Sequence, residues 1–124
     1  MTPRIAVVED NPDNRLLVQT LLEDLYDISE YDTGVGAVRG LRNDVPDLIL
    51  LDISLPELDG TEVLHWIRRQ PDLRHIPVIA LTAHAMAGDR EKYLAAGFND
   101  YVTKPIVDES VLLETVERWL PKTG

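Results

Sequence analysis

The chain has 124 residues, of which 44% are hydrophobic, and it carries a formal net charge of −10. This length suits one domain with its own core, so we expect residues 1–124 to form a single domain. A chain this acidic repels the phosphate backbone of nucleic acids, and we therefore expect no nucleic-acid partner.

Targeting signals and cysteines are both missing from the sequence. No apolar run approaches the roughly 20 residues that a membrane helix needs, and the first residues lack the apolar stretch of a signal peptide. We therefore expect a cytoplasmic protein with no membrane partner. The absence of cysteine excludes disulfides and thiol catalysis and is compatible with a reducing compartment.

Five short apolar runs, rich in Val, Ile and Leu and bounded by Pro, Asp or Gly, predict β-strands. The predicted strands are Ile5–Val8, Ile28–Tyr31, Leu48–Ile53, Val78–Leu81 and Tyr101–Thr103. The central runs have the near-continuous apolar character of strands that are buried on both faces.

Apolar residues at helical spacing separate these runs, most clearly in the first, third and fifth intervals. The three patterns are Leu17, Leu21 and Leu25; Val63, Leu64 and Ile67; and Leu112, Val116 and Leu120. Asn11 followed by Pro12 is typical of a helix start, and Gly97 of a helix end. Strict alternation of strands and helices predicts a doubly wound α/β fold, a parallel sheet with helices on both sides.

Ligands of such folds bind beyond the carboxyl ends of the strands, and polar residues are concentrated there. The ends carry Glu9 with Asp10, then Asp52, Thr82 and Lys104. Three carboxylates at neighbouring strand ends repel one another unless cations lie among them. Lys104 supplies one positive charge, and Mg²⁺ suits the remainder because it favours one or two carboxylates, waters and a phosphate oxygen.

Asp52 is the best nucleophile candidate of the set. The buried run before it fixes its position, and an ionised aspartate can attack phosphorus without a separate base. Phosphoryl transfer also needs charge neutralisation on the phosphoryl oxygens, for which a metal ion, the Lys104 ammonium and the Thr82 hydroxyl are suitable.

Four segments in order resemble bacterial response-regulator receiver domains of the CheY-like type, and the resemblance covers essentially the whole chain. They are Val8–Asn11, Leu51–Pro56 with Asp59 and Gly60, Leu81–Ala83, and Tyr101–Pro105. The resemblance implies a five-stranded parallel sheet in the order 2-1-3-4-5 with five helices. It also implies a single-domain response regulator of a two-component system or phosphorelay.

The resemblance assigns a role to each site residue. Asp52 is the phosphoacceptor, and the Mg²⁺ ligands are Asp10 directly, Glu9 through water, Asp52, and the backbone carbonyl of Ser54. The phosphoryl-binding and switch residues are Thr82, Ala83, Tyr101 and Lys104. The bond between Lys104 and Pro105 is expected to be cis.

The same resemblance implies the partners and the reaction. A histidine kinase or a histidine phosphotransfer protein donates the phosphoryl group, slow self-catalysed hydrolysis removes it, and a downstream protein target reads the conformational change. We expect a signalling domain, not an enzyme with an external substrate, that is a monomer or a phosphorylation-promoted dimer. Ser54 and His84 occupy positions that tune the lifetime of the phosphoryl group.

Several alternatives are open on the sequence. A haloacid-dehalogenase-like phosphatase needs a second Asp where Ser54 stands, and a flavodoxin-like cofactor binder is disfavoured by acidic residues in its first loop. A phosphorylation-independent pseudo-receiver and an excised receiver of a hybrid kinase are further readings. The basic group Arg68, Arg69, Arg74 and His75 is interpreted as a solvated helix end, and Trp66 and Trp119 as packing residues.

Overall fold

The computed structural model describes residues 2–83, 88–106 and 108–120. Strands and helices alternate strictly along the chain, as the sequence predicts. The strands are β1 (Arg4–Val8), β2 (Asp27–Tyr31), β3 (Leu48–Asp52), β4 (Val78–Thr82) and β5 (Asp100–Thr103). The helices are α1 (Pro12–Leu22), α2 (Gly34–Leu41), α3 (Gly60–Arg69), α4 (Asp89–Ala96) and α5 (Glu109–Trp119).

The five strands form one parallel sheet in the order β2-β1-β3-β4-β5. The register pairs Val8 with Leu51 between β1 and β3, and Asp52 with Leu81 between β3 and β4. Because the strands are parallel, their carboxyl ends meet at one edge of the sheet. The doubly wound fold and its predicted strand order are confirmed.

Side chains of the central strands alternate between two core clusters, one on each face of the sheet. In β3, Ile49 and Leu51 belong to the cluster covered by α2, α3 and α4, whereas Leu48 and Leu50 belong to the cluster covered by α1 and α5. All four side chains are completely buried. Burial on both faces explains why β3 is a continuous apolar run.

The predicted helix boundaries at Asn11 and Gly97 agree with the structure. Asn11 caps α1 by accepting hydrogen bonds from the backbone of Asp13 and Asn14, with Pro12 at the first helical position. Gly97 ends α4 with φ of 116°, a left-handed conformation that glycine adopts without steric cost.

The predicted apolar face of the first helix was wrong by one position. Val18 and Leu22 are the buried residues of α1, while Leu17 is exposed and Leu25 lies beyond the helix end with 55% of its surface exposed. Leu21 is only partly buried. The helix contains adjacent apolar residues, so two faces of equal period compete, and packing against the sheet selects between them.

Arg68 corrects the interpretation of the basic group as a solvated helix end. Its half-buried guanidinium donates five hydrogen bonds, at 2.8–3.2 Å, to the carbonyls of Arg74, Ile76 and Gly97 and to the side-chain oxygen of Asn99. Burial lowers the pKa of Arg68 from its ordinary value. The side chain therefore ties α3 to the loops that precede β4 and β5, a role that spacing alone does not indicate.

Asp100 is a buried carboxylate that the sequence analysis does not single out. Its side chain accepts hydrogen bonds from Arg118 at 3.1 Å and from the indole of Trp119 at 2.9 Å, and Arg90 lies 3.7 Å away. These contacts join the start of β5 to both α4 and α5. Trp119 and Trp66 are partly buried against the core, as expected for packing residues.

Within the ranges that the structure describes, no helix is both long enough and apolar enough to cross a membrane.

Candidate functional site

The carboxyl edge of the sheet brings together the predicted acidic residues. Glu9 and Asp10 follow β1 directly, and Asp52 is the last residue of β3. One ligand oxygen from each of the three carboxylates lies within 4.8 Å of the others. Glu9 and Asp52 are buried, with 0% and 1% of their surfaces exposed, whereas Asp10 is open to solvent. This cluster could hold a metal ion.

Lys104 enters the cluster from the end of β5. Its ammonium nitrogen lies 3.1 Å from Asp52 Oδ1 and 3.3 Å from Glu9 Oε2. The backbone of Lys104 donates a hydrogen bond to the Thr82 carbonyl at 2.7 Å, and the peptide bond that follows, to Pro105, is cis. The lysine therefore forms two ion pairs with buried carboxylates.

The ionisation of this cluster is perturbed. Burial, the negative charge of Asp52 and a hydrogen bond with Asp52 raise the pKa of Glu9 to about 7, against the opposing effects of the Asn11 backbone and Lys104. Burial by itself lowers the pKa of Lys104, but hydrogen bonds and the charges of Asp52 and Glu9 outweigh it and raise that pKa overall. A second cation at this cluster would relieve the remaining repulsion between the carboxylates.

The backbone around Asp52 holds its carboxylate in place. The Ser54 backbone donates a hydrogen bond to Asp52 Oδ1 at 3.0 Å, and the Ile53 backbone donates one to the Leu81 carbonyl at 3.1 Å. Gly60, at the start of α3, lies so close that an added Cβ would be 2.3 Å from the Asp52 carbonyl oxygen. Only a residue without a side chain lets α3 begin against the end of β3.

Thr82 and Tyr101 lie on the neighbouring strands, as predicted. Thr82 is the last residue of β4 and is 3% exposed, and Ala83 follows it at the surface. Tyr101 is half-buried in β5. His84, the proposed tuning position, lies outside the described residues, whereas Ser54 is exposed beside the site.

Tyr93 is a contact of the site that sequence reasoning missed. Its hydroxyl lies 2.9 Å from Thr82 Oγ1, and its ring centroid lies 5.8 Å from that of Tyr101. Tyr93 belongs to α4, whose apolar pattern is weak, and no motif marks it. An aromatic residue within a largely exposed helix is the one signal that could have drawn attention to it.

Comparison with known proteins identifies the family. Residues 5–117 match the response regulator receiver domain, and the chain belongs to this family. The polar-differentiation response regulator DivK of Brucella ovis is 42% identical over 125 residues, covering 97% of this chain and 98% of DivK. The chain is therefore a receiver domain, a signalling domain of two-component systems.

Other relatives are histidine kinases. The signal transduction histidine-protein kinase BarA of Escherichia coli K12 is 43% identical over 121 residues, covering 97% of this chain. The chain spans only about 13% of the length of BarA and of the similar sensor kinase GacS of Pseudomonas protegens. Receiver domains of this kind interact with histidine kinases or phosphotransfer proteins.

Solved structures agree with this assignment. The receiver domain of the sensor histidine kinase PA1611 from Pseudomonas aeruginosa is 41% identical, with a TM-score of 0.85 over 96% of this chain and 98% of that one. That structure has a magnesium ion coordinated in its active-site cleft. Vibrio cholerae CheY4 is 24% identical with a TM-score of 0.89, which shows the shared fold.

Proposed function

We propose that residues 1–124 act as one receiver domain in which Asp52 accepts a phosphoryl group from a phosphohistidine. The observation that carries the proposal is the position of the Asp52 carboxylate, 3.1 Å from the Lys104 ammonium and in one cluster with Glu9 and Asp10. The donor is a histidine kinase or a histidine phosphotransfer protein. The response is read through protein contacts in the cytoplasm.

In the reaction, an Asp52 carboxylate oxygen attacks phosphorus, a new P–O bond forms, and the P–N bond to the donor imidazole breaks. The leaving imidazole takes up a proton and returns to its neutral form. Lys104 neutralises charge on the phosphoryl oxygens, and the Thr82 hydroxyl donates a hydrogen bond to one of them, beside Ala83. Water later hydrolyses the acyl phosphate and restores the Asp52 carboxylate.

The residues that would hold Mg²⁺ are Asp10, Glu9 through water, Asp52 and the Ser54 carbonyl. The donor set fits this ion because it consists of oxygen atoms and includes an exposed carboxylate, so water ligands can be kept. When bound, magnesium supplies the positive charge that lets a phosphoryl group approach three carboxylates. Burial and the charge of Asp52 raise the pKa of Glu9, so an added positive charge would stabilise its ionised form.

The first experiment is intact mass spectrometry after incubation with acetyl phosphate, with and without Mg²⁺. We expect a magnesium-dependent phosphoryl adduct on the wild-type protein, its loss in Asp52→Ala, and its retention in Asp72→Ala, where the replaced aspartate is exposed. If the wild-type protein forms no adduct with acetyl phosphate or with a phosphohistidine donor, the proposed phosphoryl acceptance is wrong and a phosphorylation-independent binding module becomes the favoured function.

A further inference from the structure

We propose that Tyr93 is a positioning residue that connects the phosphoryl site to α4. In the unphosphorylated protein its hydroxyl holds the Thr82 hydroxyl, at 2.9 Å, on the α4 side of the sheet. Phosphorylation of Asp52 exchanges this hydrogen bond for one from Thr82 to the phosphoryl group. The inference rests on the proposed function, because it requires a phosphoryl group on Asp52.

Tyr93 attaches α4 to the rest of the domain. It is the buried residue of this eight-residue helix, whose other side chains are exposed or partly exposed. Its ring packs edge-on against Phe98, with centroids 6.2 Å apart, and lies 5.8 Å from the ring of Tyr101. Any change in the position of Tyr93 therefore changes how α4 lies on the sheet.

Thr82 stands between the phosphoacceptor strand and this helix. In β4, Val78 and Ala80 belong to the same core cluster as Tyr93, and strand alternation places Thr82 on that face as well. Thr82 also comes directly after Leu81, the register partner of Asp52 in β3. Its hydroxyl is thus positioned to respond to Asp52 and to contact α4.

The exchange depends on which hydroxyl donates in the contact between Thr82 and Tyr93, where either oxygen can be the donor. Phosphoryl oxygens of an ionised acyl phosphate only accept hydrogen bonds, so Thr82 must be the donor to them. The exchange requires Thr82 to donate to Tyr93 in the unphosphorylated protein, because a threonine hydroxyl has a single hydrogen and the two acceptors then compete for it. When Thr82 turns towards the phosphoryl group, Tyr93 loses this hydrogen bond and the attachment of α4 changes. The helix thereby reports the state of Asp52 through a shift between two conformations.

The test is the affinity for beryllium fluoride with Mg²⁺, which mimics a phosphoryl group on an aspartate, measured by isothermal titration calorimetry. Tyr93→Phe removes one oxygen and keeps the buried ring. Because the hydrogen bond that opposes the switch is gone, we expect the dissociation constant to fall by about 2- to 10-fold, the factor that one net hydrogen bond represents. Tyr26→Phe, at a partly buried tyrosine against the opposite core cluster, is the matched control and should bind as the wild-type protein does.

A double-mutant cycle assigns the effect to the pair. In a Thr82→Val background, which keeps the side-chain shape and removes the hydroxyl, Tyr93→Phe should no longer change the affinity. An unchanged or weaker affinity in Tyr93→Phe, or an equal effect in the Thr82→Val background, would overturn the proposal.

A measurement on the wild-type protein covers the case in which Tyr93→Phe does not fold. The NMR signal of the Tyr93 Cζ carbon should shift on addition of beryllium fluoride with Mg²⁺, while that of Tyr26 stays in place. A constant Tyr93 signal in a protein that binds the mimic contradicts the exchange. Failure of the wild-type protein to bind the mimic or to be phosphorylated would instead reject the proposed function itself.

Discussion

Lys104 holds two buried carboxylates in one site, through ion pairs of 3.1 Å and 3.3 Å with Asp52 and Glu9. Removing one partner of a buried ion pair leaves an uncompensated charge, which costs far more than losing an exposed pair. In the absence of metal, we therefore expect the ammonium to be needed for the stability of the domain.

We expect Lys104→Met to lower the free energy of unfolding by about 2–4 kcal/mol at pH 8 in EDTA, because two ionised carboxylates then face each other without the ammonium. Urea titration followed by circular dichroism measures this change. Lys92→Met is the control, since Lys92 is exposed and its replacement should change stability by no more than about 0.5 kcal/mol. Equal stabilities of the two variants would contradict the role of Lys104.

The raised pKa of Glu9 predicts that the stability of the metal-free protein depends on pH. Its folded-state pKa is raised from 4.5 to about 7 by burial and by Asp52, so the folded protein holds this proton more tightly than the unfolded chain. The contribution of Glu9 to the free energy of unfolding is complete below pH 4.5 and is lost as the pH rises through about 7.

We therefore expect the urea midpoint of the wild-type protein in EDTA to fall as the pH rises from 5 to 8. Ordinary carboxylates are already ionised over this range and do not contribute to the change. Glu9→Gln, which cannot titrate, should remove the part of this fall that Glu9 causes. If the urea midpoint of Glu9→Gln falls with pH as much as that of the wild-type protein, other groups are responsible.

Arg68 connects α3 with the segments that precede β4 and β5. All five N–H groups of its guanidinium donate hydrogen bonds to neutral oxygens. Asn99, one of the acceptors, also accepts a hydrogen bond from the Val78 backbone at 2.9 Å. Loss of the guanidinium would leave several partly buried oxygens without their donors.

We expect Arg68→Gln to lower the free energy of unfolding by about 2–4 kcal/mol, as is typical for breaking a buried hydrogen-bond network. Arg69→Gln is a matched control, because Arg69 is the next residue of the same helix and is exposed. Urea unfolding measures both variants. A loss of similar size in Arg69→Gln would mean that helix charge, and not the hydrogen-bond network, is the cause.

Elements were predicted well where one pattern dominated and poorly where two patterns competed. The run Leu48–Asp52 is buried on both faces, so its strand is evident from the sequence. In α1, adjacent apolar residues have the same helical spacing on two faces. The prediction took the face of Leu17 and Leu21, whereas Val18 and Leu22 are the buried residues. Periodicity fixes the spacing of an apolar stripe, but packing on the sheet fixes its phase.

The fold of this acidic chain brings the carboxylates of Glu9, Asp10 and Asp52 together at one edge of the sheet. We expect Mg²⁺ at ten to a hundred times its dissociation constant to stabilise the wild-type protein by about 1.4–2.7 kcal/mol, because it binds the folded state only. Asp10→Asn should lose this stabilisation, while Asp13→Asn, at an exposed aspartate of α1, should keep it. Thermal unfolding with and without Mg²⁺ measures the effect, and an equal response in Asp10→Asn would exclude Asp10 as a ligand.

The order of strands and helices, and the residues at the strand ends, were predictable from the amino-acid sequence. Burial of continuous apolar runs and alternation of two periods are local properties, and parallel strands must then end at a common edge. Glu9, Asp52 and Lys104 could be placed together for this reason. The same residues, in the same order along the chain, also resemble those of a known family.

Contacts between side chains from distant parts of the chain were not predictable from the sequence. Residues from different elements are joined by the contact of Tyr93 with Thr82, by the five hydrogen bonds of Arg68 and by the hydrogen bonds that Asp100 accepts from α5. No local pattern encodes them, because each depends on how a helix rotates and settles on the sheet. Helix placement is a property of the packed core as a whole.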